Sequence, residues 1–392
     1  MRLKTTLFAC TAAAVLSLAL PAHAQDTVKV GVILSLSGQF ADAGAQMLNG
    51  VKTYMKEHGE TAAGKKIELI VKDTGGVAPD IAKRLAQELV VRDKVDMLAG
   101  FTLTPNALAA SDVSAEAKKF MVIMNAATSI IITKSPYSVR SSVTLPQVAE
   151  TFGTWAVKKA GIKKSYTMVT DYGPGHDFEA GFQRAFKEAG GEIVGQVRFP
   201  VANPDFSAFV QRAKDLNPES IMIFIPGGAQ PAALGKAFAE RGIDPNKTKV
   251  LGSGETTSEQ ALKSMGDTAL GIITAWHYEY TDKAPRNVAF VKLFNEMHQR
   301  NPDFFAVGGY DGMHVIYEAL KKAGGKTDGD SLIAAAKGLK WESPRGPMSI
   351  DPQTRDVVQT IYIRKVEKVK GEPQNVVFDK VENVKDPAGA RR

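Results

Sequence analysis

From Val28 onward, short apolar runs rich in β-branched residues alternate with longer stretches whose apolar positions recur every three or four residues. The first kind reads as strand and the second as amphipathic helix. The strand runs are Val28–Leu34, Lys66–Lys72, Val95–Gly100, Phe120–Met124, Ser165–Asp171, Glu192–Arg198, Ser220–Ile225, Lys249–Gly252 and Gly271–Ala275. Helical periodicity fills the intervals at Ala43–His58, Pro79–Arg92, Pro105–Lys118, Val148–Lys159, His176–Glu188, Phe206–Leu216 and Pro231–Glu240, and follows at Asn287–Arg300 and Asp311–Lys322. This alternation predicts βαβ units around parallel sheets covered on both faces. Runs apolar at nearly every position, such as Ser220–Ile225, fit strands buried on both sides.

The pattern offers too many strands for one compact sheet, and it restarts. The opening unit Lys29–His58 has a counterpart at Ser165–Glu188, each an apolar strand, a small-residue turn and a long helix. The expected fold is therefore α/β, two doubly wound parallel-sheet lobes joined by a hinge. Ser135 to Pro146 carries turn residues and marks the first crossover. After Trp341 come Pro344, Gly346, Pro347 and Pro352, then the alternating run Val357–Val366, which reads as a hairpin or an edge strand returning to the second lobe. The expected division is 25–144 plus 277–352 for the first lobe and 145–276 plus 353–380 for the second, with a C-terminal tail at 381–392, loose from Lys385.

The first residues are a different object. Arg2 and Lys4 precede an apolar stretch from Leu7 to Leu20, and Pro21 leads into Ala22-His23-Ala24. A basic start, an apolar stretch too short to span a bilayer and a small-x-small end form an export signal over 1–24, cleaved near Ala24. The protein is thus expected in the periplasm. Cys10 has only nine residues before it, too few for a complete lipoprotein signal.

Composition narrows the function. The 392 residues hold 49 Lys and Arg against 42 Asp and Glu; losing Arg2 and Lys4 leaves 47 against 42, a net charge of +5. Cys10 is the single cysteine, so the mature chain has none. Thiol nucleophiles and thiolate metal ligands are excluded, and no disulfide framework exists. Lysines interspersed with acids, as in Lys52, Lys56 and Glu57, describe solvated helix faces rather than a nucleic-acid-binding stripe. A hydrophobic ligand from outside the cytoplasm is a more natural partner than a polyanion.

In open parallel sheets, ligands bind beyond the carboxyl ends of strands. The clearest loop there is Gly100-Phe101-Thr102-Leu103-Thr104-Pro105-Asn106. Pro105 suits the first helical position and Thr104 the N-cap, so hydroxyl and free N–H groups would form an anion site, or Thr104 would simply cap its own helix. Asn125-Ala126-Ala127-Thr128-Ser129 follows the next strand, and Thr104 with Thr128 could hold both oxygens of one carboxylate. In the second lobe, Asp171-Tyr172-Gly173, the Gly227-Gly228 pair and Gly254-Glu255-Thr256 take equivalent places. Glu255 could meet a ligand amine or hydroxyl, or favour a helix start. Which of Trp276, His277 and Tyr278 faces a ligand stays open.

Enzyme motifs fail their tests. Gly59 to Lys66 matches seven positions of a phosphate loop but lacks the final hydroxyl, and it follows a helix and precedes a strand, the reverse of the required context. Gly325-Lys326-Thr327 has Leu320 where the first glycine belongs, and Gly252-x-Gly254 has Thr257 in place of the third. No Gly-x-Ser-x-Gly elbow or His-Glu-x-x-His occurs, and the mature histidines 58, 176, 277, 298 and 314 are too scattered for a metal site. Asp171 with Glu255 could be drawn as a hydrolytic carboxylate pair, but spacing does not support it. No enzyme activity, metal or cofactor is expected.

Val30 to Gly38, the glycines at 44 and 50, Gly100 to Asp112, Asn125 to Thr128, Tyr172-Gly173 and Gly252 to Glu255 together resemble the leucine/isoleucine/valine-binding family of periplasmic receptors for ABC importers. The likeness spans essentially the whole mature chain. It implies the type I periplasmic binding protein fold, a Venus-flytrap. Thr104 and Thr128 would hold the ligand carboxylate, Ala126 would add backbone contacts, Tyr172 would close over the ligand, and Glu255 would stand near the acid that meets an α-ammonium group. Phe101, Thr102, Ala127, Gly228 and His277 complete the expected ligand set. Two departures point away from amino acids: Ala229-Gln230 replaces the aromatic expected after Gly228, and Gly254 shifts the acid by one residue. The Gly100–Ala107 and Asn125–Ser129 wording is similar to relatives that accept benzoate-type acids. The implied role is to deliver a small carboxylate to a membrane permease by hinge closure, as a monomer. A branched-chain amino-acid receptor and a ligand-sensing regulatory receptor are the alternatives.

Overall fold

The computed structural model describes residues 26–201, 204–245, 247–387 and 389; the expected export signal lies outside them. The first lobe builds β1 (Thr27–Leu34), α1 (Ala41–His58), β2 (Thr61–Ala62), β3 (Lys65–Asp73), α2 (Pro79–Val91), β4 (Met97–Gly100), α3 (Thr104–Glu116), β5 (Phe120–Ile123), α4 (Ile131–Lys134) and β6 (Ser138–Arg140). The chain then crosses and lays down α5 (Leu145–Lys158), β7 (Lys164–Thr170), α6 (Gly173–Glu188), β8 (Glu192–Phe199), α7 (Phe206–Asp215), β9 (Ser220–Phe224), α8 (Gln230–Arg241), β10 (Lys249–Ser253), α9 (Glu259–Met265) and β11 (Ile273–Trp276). It returns to the first lobe with α10 (Pro285–His298), α11 (Phe304–Lys322) and α12 (Gly329–Ala336), and ends in β12 (Lys340–Ser343), β13 (Gly346–Ile350), β14 (Val357–Val369) and β15 (Glu372–Val384).

The first sheet runs β2-β3-β1-β4-β5-β6, parallel except for the β2–β3 pair. The second runs β12-β13-β14-β11-β10-β9-β7-β8, with β15 on β14. Its β7 to β11 portion is parallel, and β11–β14 and β14–β15 are antiparallel. The order reverses at β1 and β4 in one lobe and at β7 and β9 in the other. Helices leave a parallel sheet in opposite directions at such points, and the loops part to leave a crevice.

Most periodic segments fold as expected to within three residues at their ends, but α11 begins at Phe304 rather than Asp311, and α9 and α12 have no expected counterpart. Other features differ as well. β6 lies inside the turn-rich crossover, too short at three residues to show alternation. The run from Val357 is a hairpin but not an edge, since β14 is flanked by β11, β13 and β15. Lys370 and Gly371 make its turn, both with positive φ of 51° and 92°, the geometry that matches strand twist. The tail expected from 381 is strand as far as Val384. Beyond it Asp386 is buried, accepting from Thr144 Oγ1 at 2.9 Å and Ser129 Oγ at 3.3 Å.

Where the lobes meet, charged side chains are fully buried. Arg345 donates to Asp311 Oδ2 at 2.8 Å and Gln359 Oε1 at 3.0 Å, and to the carbonyls of Ser141 and Ser142 in the first crossover. Its Nη1 also lies 2.6 Å from His277 Nδ1. Arg140 pairs with Asp356 at 2.8 Å, and Arg364 with Glu279 at 3.2 Å.

In the first lobe α1 packs on α11 so closely that backbones touch. A methyl group at Gly50 would stand 1.8 Å from the Ala306 carbonyl oxygen. Gly50→Ala should therefore cost about 3 kcal/mol, at the upper end of overpacking effects, because the obstacle is backbone rather than a movable side chain. Urea denaturation measures it, and an unchanged midpoint would contradict the close approach.

Candidate functional site

The crevices of the two lobes face each other and form one cleft with about 670 Å³ of empty space, its mouth included. From the first lobe come Phe40 after β1, Thr102 and Thr104 after β4, Ala126 and Ala127 after β5, and Phe305 at the start of α11. Tyr172 after β7, Phe224 and Gly228 at the end of β9, and Glu255 after β10 line it from the second. The lobes touch across it. Ser129 N–H donates to Asp177 Oδ2 at 3.2 Å, and Gly228, with φ of 85°, sits where a Cβ would be 3.0 Å from the Gln39 carbonyl oxygen.

Seven expected residues, Thr102, Thr104, Ala126, Ala127, Tyr172, Gly228 and Glu255, share this lining. Thr104 is not an N-cap: Leu103 is the extended residue before α3, and no side chain caps the helix. The Thr104 hydroxyl instead meets that of Thr128 at 3.0 Å. Thr128 stands just behind the lining, buried, joined to the cleft through that contact. Two expectations are corrected. Phe101 packs into the first lobe's core with no exposure, because its left-handed backbone (φ 69°) turns the ring under the sheet. His277 is likewise fully buried, and its ring engages Arg345 where the lobes join. Burial and the Arg345 charge hold its pKa well below the usual histidine value, so it stays neutral and accepts at Nδ1.

The loops are held rigidly. Asn125 Nδ2 donates to the Thr102 carbonyl at 2.7 Å, Thr102 Oγ1 accepts from Ser35 N–H at 3.2 Å, and Ala126 N–H reaches the Phe101 carbonyl at 3.0 Å. Sequence reasoning missed Gln39, Phe40, Ser258, Asp303 and Phe305. The loop after β1 obeys the same strand-end rule and could have been found. Phe305 could not, because only tertiary packing brings α11 against the β5 end.

Among the described residues, no Lys, Arg or His lines the cleft. A bound anion would be met by hydroxyl and amide hydrogens alone. Three acids do line it. Asp42 is neutralised by Arg300 at 2.7 and 3.1 Å. Asp303 accepts from the N–H groups of Phe305 and Ala306, yet burial raises its pKa to about 7. Burial also raises Glu255 to about 7, only partly offset by the Gly227 N–H at 3.1 Å. Tyr172 is lifted well above the ordinary phenol value by burial and then by Glu255, so its hydroxyl remains a donor. Asp171 points away, bonded to His176 Nε2 at 2.7 Å, and does not pair with Glu255. Among the described residues no cluster of His, Cys, Asp or Glu could hold a metal ion, and no helix is long and apolar enough to cross a membrane.

The periplasmic binding protein family matches residues 27–372. A Leu/Ile/Val-binding protein homolog 6 from Brucella melitensis is 42% identical, the match covering 92% of this chain and 93% of that one. Among solved structures, an ABC-transporter solute-binding protein from Rhodopseudomonas palustris BisB5, in complex with 3,4-dihydroxybenzoic acid, is 52% identical, with a TM-score of 0.88, covering 93% of this chain and 99% of that one. Another from Rhodopseudomonas palustris HaA2, in complex with p-hydroxybenzoic acid, is 38% identical, with a TM-score of 0.90, covering 94% and 100%.

Between about 4.5, the ordinary glutamate value, and about 7, the unfolded chain ionises Glu255 while the folded chain resists. The folded state then binds more protons, so stability falls as pH rises through that window, by at most ~1.4 kcal/mol per pH unit from one group. Glu255→Gln should remove that share and leave the share of Asp303. Urea denaturation of the ligand-free protein across the window checks this, and an undiminished slope would count against it.

Proposed function

This chain belongs to the periplasmic binding protein family, and we propose that it is the solute-binding receptor of an ABC importer for aromatic carboxylates of the benzoate type. The carboxylate lies against the Thr104 and Thr128 hydroxyls and the amide hydrogens of the two strand-end loops. The ring lies among Phe40, Tyr172, Phe224 and Phe305, and Glu255 accepts a hydrogen bond from a ring hydroxyl at the far end. The observation that carries the reading is the 3.0 Å contact between the two threonine hydroxyls beside a cleft walled by aromatic rings, with no Lys, Arg or His among the described residues that line it. The aromatic acids named in the Rhodopseudomonas structures agree with it.

Magnitudes fit. Burying roughly 100–150 Å² of ring at ~25 cal/mol per Å² contributes about 3 kcal/mol. Micromolar affinity needs about 8 kcal/mol, so charge-assisted hydrogen bonds to the carboxylate supply the remainder. Binding draws the lobes together by hinge movement, and the closed form presents the ligand to the membrane permease. The receptor breaks no bond. It acts outside the cytoplasmic membrane, after removal of an export signal at 1–24.

A branched-chain amino acid is the second reading, favoured by the names of the Brucella relatives and by acids that could meet an ammonium group. Calorimetry with 4-hydroxybenzoate, benzoate and leucine separates the two. The aromatic acids should bind and leucine should bind at least ~10-fold more weakly; the reverse ranking overturns the ligand class. Thr104→Val should weaken 4-hydroxybenzoate by ~10- to 100-fold, as expected for a lost hydrogen bond to a charged group, with the melting temperature kept. Glu255→Gln should narrow the preference for 4-hydroxybenzoate over benzoate, measured as the ratio of their dissociation constants.

A further inference from the structure

The loop 126–129 is gripped from behind by one side chain. Arg140, at the end of β6, is fully buried; its Nη1 donates to the Ala126 carbonyl at 2.6 Å and its Nη2 to the Thr128 carbonyl at 3.0 Å. A planar guanidinium holding two carbonyls fixes the Ala126–Ala127 and Thr128–Ser129 peptide planes. In a trans peptide the N–H points opposite to the C=O. The Ala127 and Ser129 N–H groups are therefore turned away from Arg140. Ser129 N–H reaches Asp177 of the second lobe at 3.2 Å. Ala127 lines the cleft, and its N–H has no partner among the described residues.

The other side of Arg140 faces the junction of the lobes. Nε donates to Asp356 Oδ1 at 2.8 Å, Nη1 also lies 3.4 Å from the Val143 carbonyl in the first crossover, and the backbone N–H of Arg140 bonds the Arg355 carbonyl at 3.1 Å. Asp356 ends the connection between β13 and β14, and Val357 begins the strand that pairs with the second lobe's sheet. Arg355, one residue earlier, donates to the Ile132, Ser135 and Ser138 carbonyls of the first lobe. This connection is thus anchored on one lobe immediately before it enters the other.

We propose that Arg140 is the positioning residue of the carboxylate site and that its ion pair with Asp356 ties the aim of the Ala127 amide to the relative setting of the lobes. The inference rests on the reading that an anionic head group sits at this loop. When the lobes come together, the connection and the crossover shift together. Arg140 carries that shift to the carbonyls of Ala126 and Thr128, so the Ala127 amide is correctly aimed only in the closed arrangement. Charge neutralisation alone would not need two carbonyls, and a purely structural pair would not need to end on the ligand loop.

Two variants separate positioning from support. Arg140→Lys keeps the charge beside Asp356 but cannot span that carboxylate and both carbonyls. Asp356→Asn keeps the shape and removes the charge. Each should lower affinity for 4-hydroxybenzoate at least tenfold by calorimetry, at a temperature where circular dichroism shows the ligand-free variant folded. Wild-type affinity in both variants, with only the melting temperature reduced, overturns the proposal while leaving the functional reading intact. Hydrogen exchange on the unmodified protein is a check independent of variant folding: 4-hydroxybenzoate should slow exchange at 127–129 and at 353–357 together. Slowing at the first segment alone overturns the coupling. If the unmodified protein shows neither binding heat nor exchange change with any aromatic acid, the functional reading and this inference both fall.

Discussion

Parallel strands cannot be joined by hairpins, and that constraint organises this molecule. Each pair needs a crossover helix, and the chain must choose which side of its first strand to extend. Both lobes switch sides once, at β1 and β4 and at β7 and β9. The loops at those places, Ser35 to Phe40, Phe101 to Thr104, Asp171-Tyr172 and Ile225 to Gly228, follow strands whose crossover helices lie on opposite faces of the sheet. They turn toward each other and become the walls of the cleft. The site follows from topology before any side chain is chosen.

The side chains then decide its chemistry. Three acids and, among the described residues, no Lys, Arg or His line the cleft. Charge is balanced locally: Arg300 answers Asp42, the α11 amides answer Asp303 in part, and Glu255 has a single amide. A buried carboxyl with so little compensation holds its proton more tightly or takes a donor from the occupant. Thr104 brings a hydroxyl to the cleft from the first lobe and Glu255 a carboxyl from the second, among walls that include Phe40, Phe224 and Phe305.

Around that site lies a second layer of buried charge: Arg140 with Asp356, Arg345 with Asp311, Arg364 with Glu279. Such pairs add little net stability compared with apolar packing of the same volume, whereas breaking one by removing a partner costs several kcal/mol. Here they occur where the connections between the lobes converge, and Arg345 alone touches the first crossover, His277 and Gln359. Directional bonds can define how two lobes sit together, which interchangeable apolar contacts cannot. The same geometry explains why Phe101 and His277 turned out to be packing residues: each follows a strand end, but the backbone or a neighbouring guanidinium takes the side chain inward.

Much of this was legible in one dimension. Alternating periods of two and of 3.6 located most strands and helices, the restart after Ser165 revealed two lobes, and the small-residue loops at 100–106 and 125–129 each contribute to the cleft, because local patterning reports which face of an element is buried. Three-residue strands such as β6 escaped, since too few positions exist for a period to show. The order of the residues also determined that Thr104 and Thr128 each follow a strand. Only the folded chain decided that their hydroxyls meet, that Phe305 and Phe40 wall the same cleft, and that Arg140 grips the loop 126–129 while holding Asp356, 216 residues away. Contacts of that separation depend on how sheets and helices stack in space, and a pattern read along the chain carries no information about distance between its parts.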